Sequence, residues 1–200
     1  MSSRFVNLPL LCHATRVVSA NADSAAPLSA IVVSGSLEAS GRLVLEYQLL
    51  GNLQQVLLPA TAIGAAHGAR RRDQLWRHTC LELFARTADL PGYLEFNFAP
   101  NGDWAAYEFD DYRNGQRNLE TDHCTVNLQH QSERDLLVRV TLMVPVMAST
   151  PRVTSWQLGM AAVIEAHDGK LSYWALRHPR TQADFHDPAG FSYALAAPAL

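Results

Sequence analysis

Cysteine is scarce in this chain, and its pattern excludes two classes of protein. Cys12, Cys80 and Cys124 are odd in number and show no CxxC spacing. A disulfide framework and a structural zinc site both need thiols in closer, paired arrangements. Such usage fits a reducing compartment, and a cytoplasmic location is the expectation. Charge is also sparse: 18% of residues are Asp, Glu, Lys or Arg, and the formal net charge is −3. A nucleic-acid surface needs a clustered basic field, whereas the sole basic run, Arg70-Arg71-Arg72, is short enough to be a solvated loop. No apolar run approaches the roughly 20 residues that a spanning helix requires. The apolar patch from Phe5 to Cys12 is interrupted by Asn7 and Pro9 and leads to no small-residue cleavage site, so it reads as folded chain. GxSxG, HExxH, P-loop and GxGxxG motifs are all missing, as are internal repeats and low-complexity linkers. Neither a nucleic acid nor a membrane is an expected partner, and no metal or cofactor is expected.

What the chain does have is apolar and aromatic. With 48% hydrophobic residues over 200 positions, it can bury a sizeable core as a single domain spanning residues 1–200. The stretch from Leu75 to Gly115 holds Trp76 and Trp104, Tyr93, Tyr107 and Tyr112, and Phe84, Phe96, Phe98 and Phe109, with carboxylates, amides and Arg threaded between them. From Tyr93 to Phe98 the residues alternate strictly: Leu94, Phe96 and Phe98 on one side, Tyr93, Glu95 and Asn97 on the other. That is the period-2 pattern of a half-buried strand. The preceding segment sorts Thr79, Leu81, Leu83 and Ala85 against Trp76, His78, Cys80, Glu82 and Phe84. A turn at Asp89-Leu90-Pro91-Gly92 would pair the two strands and bring Trp76, Glu82, Glu95 and Asn97 onto one sheet face.

Elsewhere the pattern is of short strands between turn signals. Ser29 to Glu38 and Arg42 to Leu50 make a hairpin around Ala39-Ser40-Gly41, and Leu53 to Leu58 reads as a short third strand ended by Pro59. Ala60 to Arg72 reads as a loop. Trp104 to Phe109, His123 to His130, Asp135 to Val144, Val153 to Glu165 and Leu171 to Leu176 follow as strands; Asp110 to Glu120 is polar loop, and Arg177 to Gly190 an irregular tail. The run Met160-Ala161-Ala162 is also compatible with helix, yet its neighbours keep a period of 2. About ten strands and no long amphipathic helix imply an all-β, antiparallel β-sandwich.

Three segments, LWRHTCLELF, YLEFNFAPNGDWAAYEFDDYRNG and LSYWALRHPRTQADFH, together resemble bacterial DOMON-like proteins, which are similar to the family 9 carbohydrate-binding modules. The resemblance covers most of the chain. It implies a β-sandwich whose ligand sits between two Trp, with a Glu six residues after the first Trp and an Arg further on bonding to sugar hydroxyls. Trp76 and Glu82 have that spacing, Trp174 is the candidate second Trp, and Arg113 is the candidate Arg. The chain departs from the modules at Leu171, where a polar residue is expected, and in carrying no secretion signal. DOMON domains of the cytochrome type bind haem through Met and His; Met143, Met147 and Met160 are present without an assignable partner.

The residues themselves sustain more than one reading. Trp76 and Trp174 are either stacking platforms for an apolar sugar face or core anchors. Glu82 and Glu95 either accept sugar hydroxyls or serve a glycoside-type hydrolase, which needs its carboxyl groups roughly 5 to 10 Å apart. Asn97 offers a donor and an acceptor to vicinal hydroxyls, or a structural bond. Arg113, beside the Asn114-Gly115 turn, is a fork for oxygen pairs or the partner of Asp110 or Asp111. Cys80 beside His78 is a nucleophile only with a depressed pKa, and otherwise a buried thiol. His178, Asp184 and His186 crowd the tail in a spacing that matches no metal motif, and such groups also lock tails onto sheets. The expectation is a non-catalytic domain that binds a small polar molecule, a saccharide or sugar-like metabolite, through Trp76, Glu82, Glu95, Asn97, Arg113, Trp174 and His178. A hydrolase using Glu82 and Glu95, or a haem-binding domain, is the alternative.

Overall fold

The alternation seen from Tyr93 to Phe98 is the rule for most of the molecule, because each strand has to present its apolar set to one shared interior. The computed structural model describes residues 2–13, 26–60, 70–87, 90–121, 124–144 and 155–196. Among these lie twelve strands: β1 (Ser3–Cys12), β2 (Leu28–Leu37), β3 (Arg42–Gly51), β4 (Cys80–Thr87), β5 (Tyr93–Phe98), β6 (Trp104–Phe109), β7 (Arg117–Asn118), β8 (Cys124–Gln131), β9 (Asp135–Met143), β10 (Ser155–Glu165), β11 (Leu171–Ala175) and β12 (Tyr193–Ala196). They form an all-β, antiparallel, curled and sandwich-like architecture in the order β7-β6-β5-β4-β10-β11-β1-β2-β3-β9-β8, with β12 beside the first half of β10.

Strand β1 makes the corner. Its residues from Ser3 to Leu10 pair with β2, while Leu11 and Cys12 pair with β11. The register slips between Phe5 and Leu8, where Asn7 takes a φ of 53°, a left-handed conformation that Asn tolerates better than most residues. The bulge bends the strand from one layer into the other.

Between the layers, Leu43, Leu45, Tyr47 and Leu49 of β3 and Leu136, Val138, Val140 and Leu142 of β9 share one core with Leu81, Leu83, Phe96 and Phe98. The Tyr47 hydroxyl crosses that core to donate to the Glu82 backbone carbonyl, 2.8 Å away. This ties the back layer to β4 at the residue that faces the other way, into the site.

Several sequence expectations are corrected. Leu53 to Leu58 is no strand: Leu53–Gln55 form a 3-10 turn and Val56 makes one isolated bridge to Ala166. The Asn52 and Leu53 amides bond to Pro27 and Glu133 carbonyls at the ends of neighbouring strands, so the chain peels away from the sheet. Trp76 does not belong to a strand either. It sits in a 3-10 turn, Leu75–Arg77, entered through Gln74 at a φ of 64°, and β4 begins only at Cys80. Nor is β5 half-buried; all six of its residues are buried, because the polar tail folds over its second face. The apolar patch at Phe5 becomes β1, β12 follows the irregular tail, and the Asp110 to Glu120 loop contains β7. The Asp89 part of the expected turn, and most of the 60–72 loop, lie outside the described residues. Among the described residues no helix is long and apolar enough to cross a membrane.

Removing only the cross-core hydroxyl, by Tyr47→Phe, should lower stability by about 1–2 kcal/mol, read as a lower urea midpoint at unchanged slope.

Candidate ligand-binding site

Outside the core, the second face of β4, β5, β6, β10 and β11 forms the floor of a hollow of about 530 Å³, a size suited to a small molecule. Register decides what reaches it. Glu82 of β4 lies opposite Asn97 of β5, and Glu95 opposite Phe84, so the two carboxyl groups are diagonal neighbours on one face, with Cβ atoms about 7 Å apart. Both line the hollow, although Glu82 is only 3% and Glu95 5% exposed.

The two carboxyl groups are held differently. Glu95 Oε1 accepts a bond from Asn97 Nδ2 at 2.6 Å, and Asn97 Oδ1 in turn accepts from the Cys80 thiol at 3.5 Å. Glu82 Oε1 is buried without any hydrogen-bond partner. Burial raises both carboxyl pKa values. For Glu95 the Asn97 amide and the Arg113 charge oppose it, leaving a value of about 7. Glu82 is pushed well above the usual carboxylate range, first by burial and then by the charge of Glu95. The pair therefore holds protons that isolated carboxylates would lose.

Aromatic rings make the walls. Trp76, 38% exposed, lines the hollow and rests edge-on against Tyr107 with centroids 6.2 Å apart. Tyr107 is fixed by a 2.7 Å bond to Asp73. Tyr173 and Phe185 also line the hollow and meet edge-on at 6.1 Å. Phe109 and His186 close the remaining side, 5.3 Å apart.

The tail is clamped over the site through Tyr93, Arg113 and Asp184. Arg113, at a φ of 52°, donates its backbone N–H to Tyr93 Oη at 3.2 Å and its guanidinium to Asp184 Oδ1 at 2.9 Å. Asp184 also accepts from the Tyr112 hydroxyl and the His186 amide. Tyr93 Oη and His186 Nδ1 are hydrogen-bonded at 2.7 Å, which leaves Nε2 on the side of Glu95. That nitrogen stands 3.8 Å from Glu95 Oε2, too far for a hydrogen bond. Burial and the Arg113 charge lower the His186 pKa to about 4, so the contact is not an ion pair near neutrality.

Against the sequence expectation, Trp76, Glu82, Glu95 and Arg113 converge on the hollow and three residues do not. Trp174 is 4% exposed and packs in the core between the layers, because it pairs with Ala162 on the inward face of β10. Its neighbour Tyr173, one residue earlier and therefore on the opposite face, supplies the second ring. Asn97 is fully buried and spends its amide on Glu95 and Cys80, so it positions Glu95 and does not reach the hollow. His178 bonds to the Leu11 carbonyl at 2.8 Å beside His13; it fastens the tail to β1. Cys80 is fully buried with a raised pKa, and His78 pairs with Glu165 instead. Met160 is buried in the core and Met143 belongs to β9, so neither lines the hollow as a haem ligand would have to; Met147 lies outside the described residues. No group of three metal-ligating side chains occurs among the described residues.

No family model matches the chain, and no curated protein sequence does. Solved structures do resemble it. One is the crystal structure of a "putative carbohydrate-binding protein" from Bacteroides uniformis ATCC 8492, with a TM-score of 0.56 at 13% identity, over 82% of this chain and 77% of that one. The likeness is one of fold.

The buried groups set a pH profile. Glu95 binds its proton up to about pH 7 when folded but only to about 4.5 when unfolded, so its contribution falls as pH rises through that window. His186 acts oppositely, since its pKa drops from 6.5 to about 4 on folding and stability rises with pH between those values. Glu82, raised in the same direction, adds to the falling side, so stability should decline as pH rises above the ordinary carboxylate range, and more steeply once pH passes 6.5 and His186 no longer offsets it. Thermal melts of the wild type from pH 5 to 9 should show this, and Glu95→Gln should make the decline below about pH 7 shallower.

Proposed function

We propose that this chain is a non-catalytic domain that binds a saccharide or a sugar-like polar metabolite in the aromatic-walled hollow. The carrying observation is that two aromatic rings, Trp76 and Tyr173, line the same hollow as the carboxyl groups of Glu82 and Glu95 and the guanidinium of Arg113. A pyranose has apolar C–H faces that stack on rings, and a rim of hydroxyls that need bonds to groups of this type. The fold likeness to a protein named for carbohydrate binding adds weak support, as does the Trp76-to-Glu82 spacing shared with family 9 modules and the likeness to DOMON-like proteins.

A second reading rests on one specific observation: two carboxyl groups, both kept protonated by burial above the usual carboxylate range, line one hollow, and a glycoside hydrolase works with such a pair. Aryl-glycoside hydrolysis by the wild type that Glu82→Gln abolishes would favour it. Under the binding reading no glycoside is cleaved.

Isothermal titration against a panel of monosaccharides, disaccharides and sugar acids tests the main reading. Trp76→Ala should weaken whichever ligand binds by about tenfold or more, a stacking loss of one to two kcal/mol. Tyr173→Ala should do likewise. Unchanged affinity in both variants would place binding elsewhere.

A further inference from the structure

The least expected atom in the hollow is Glu82 Oε1, an acceptor removed from water with nothing to accept from. Its residue is 3% exposed, yet it lines the hollow, so the donor it lacks can come from a ligand. Glu95 is next to it and has one oxygen committed to Asn97. The other, Oε2, lies beyond bonding distance of His186. The floor thus presents acceptors in excess of donors, within a ring of aromatic faces.

A neutral sugar hydroxyl satisfies one such acceptor but does nothing for the charge that either carboxyl group carries once it ionises. A protonated amine carries three donors and no acceptor, cancels charge, and is attracted to aromatic faces. Building on the saccharide reading above, we infer that the preferred ligand carries a primary ammonium group, as an amino sugar does, which sits on the floor against Glu82 and Glu95. The ring of the ligand then stacks between Trp76 and Tyr173, and Arg113 remains at the rim with its charge engaged by Asp184.

The titratable groups around the pair allow this. Tyr47 faces Glu82 from behind, Cys80 stands two residues before it, and Tyr93 and Tyr107 approach Glu95. Burial keeps all four of these protonated. His186 is neutral near pH 7, so Arg113 is the cation acting on the pair. Because the free pair retains protons near neutrality, an arriving ammonium displaces one to the solvent. A neutral sugar does not.

The test uses the intact chain and matched ligands that differ only in one hydroxyl: glucosamine and glucose, galactosamine and galactose, mannosamine and mannose. Titrations at pH 6.5, where the amine is charged and Glu95 still holds its proton, in phosphate and in a sulfonate buffer of larger ionisation enthalpy report both affinity and protons released. The expected result is that, in at least one pair, the amine binds about tenfold or more tightly than its neutral partner and releases up to one proton, while its N-acetyl form loses the advantage. Glu82→Gln should reduce the amine to the affinity of the neutral sugar; the proton count, measured on wild type, holds even if that variant folds poorly. Equal or tighter binding of the neutral partner, or amine binding without proton release, overturns the inference and leaves the saccharide reading standing. If none of the six binds while another sugar of the wider panel does, the amine inference falls alone; if nothing binds, both fall.

Discussion

Strand β4 has to satisfy two incompatible environments within a single turn of the pleat, and the rest of the molecule follows from how it does so. Leu81 and Leu83 go into the core, while Cys80, Glu82 and Phe84 go to the opposite face, which is nonetheless buried. Burying apolar groups is favourable in itself, whereas burying a carboxyl is costly unless it is neutral or bonded. Glu95 is bonded through Asn97, which is itself held by Cys80. Glu82 is left to neutrality. A short polar chain, Cys80 to Asn97 to Glu95, thus runs beneath the floor, and Glu82, whose Oε1 has no such partner, lines the hollow beside it.

The lid over that face is the irregular tail. Its backbone makes few ladder bonds, so side chains hold it: Arg113 and Tyr112 grip Asp184, Tyr93 grips His186, and His178 reaches the Leu11 carbonyl. Asp187 caps the 3-10 turn Pro188–Gly190 and takes an ion pair from Arg180. Phe191 then packs against Phe84 with nearly parallel rings 5.6 Å apart. The tail can in this way contribute walls, Phe185 and His186, to a site whose floor is sheet.

Much of this was legible in the amino-acid sequence, for a physical reason. Period-2 alternation is enforced wherever one face meets the core, so β3, β5, β9 and the sorting of Glu82, Glu95 and Asn97 could be read from residue types alone. Trp174 shows where that logic was not carried through. LSYWA alternates too, with Trp174 on the face of Ser172 and Tyr173 on the other, but the resemblance pointed to Trp174, and five residues do not tell which face turns to the core. The 3-10 turns at Leu53 and Trp76 left no signal, since three residues are too few to show a period and Gln74 is an unusual residue at positive φ. Phe185 and His186 sat in a segment without periodicity, and nothing in the tail's composition says which sheet face it crosses. Asn97 gave the opposite difficulty: its amide suits a ligand and a neighbouring carboxyl equally, and only distance distinguishes them.

The double allegiance of β1 bears on how the chain behaves outside its native state. One strand supplies the hydrogen-bonded seam between two half-sheets, β2 at its first eight residues and β11 at its last two. A chain cut after Cys12 would present two unsatisfied edges simultaneously, β2 and β11, each a template for a strand from elsewhere. Since the missing piece is short and extended, the same segment supplied as a separate peptide or by an intact copy is the natural replacement, so loss of this terminus turns the protein into an acceptor for a donated strand.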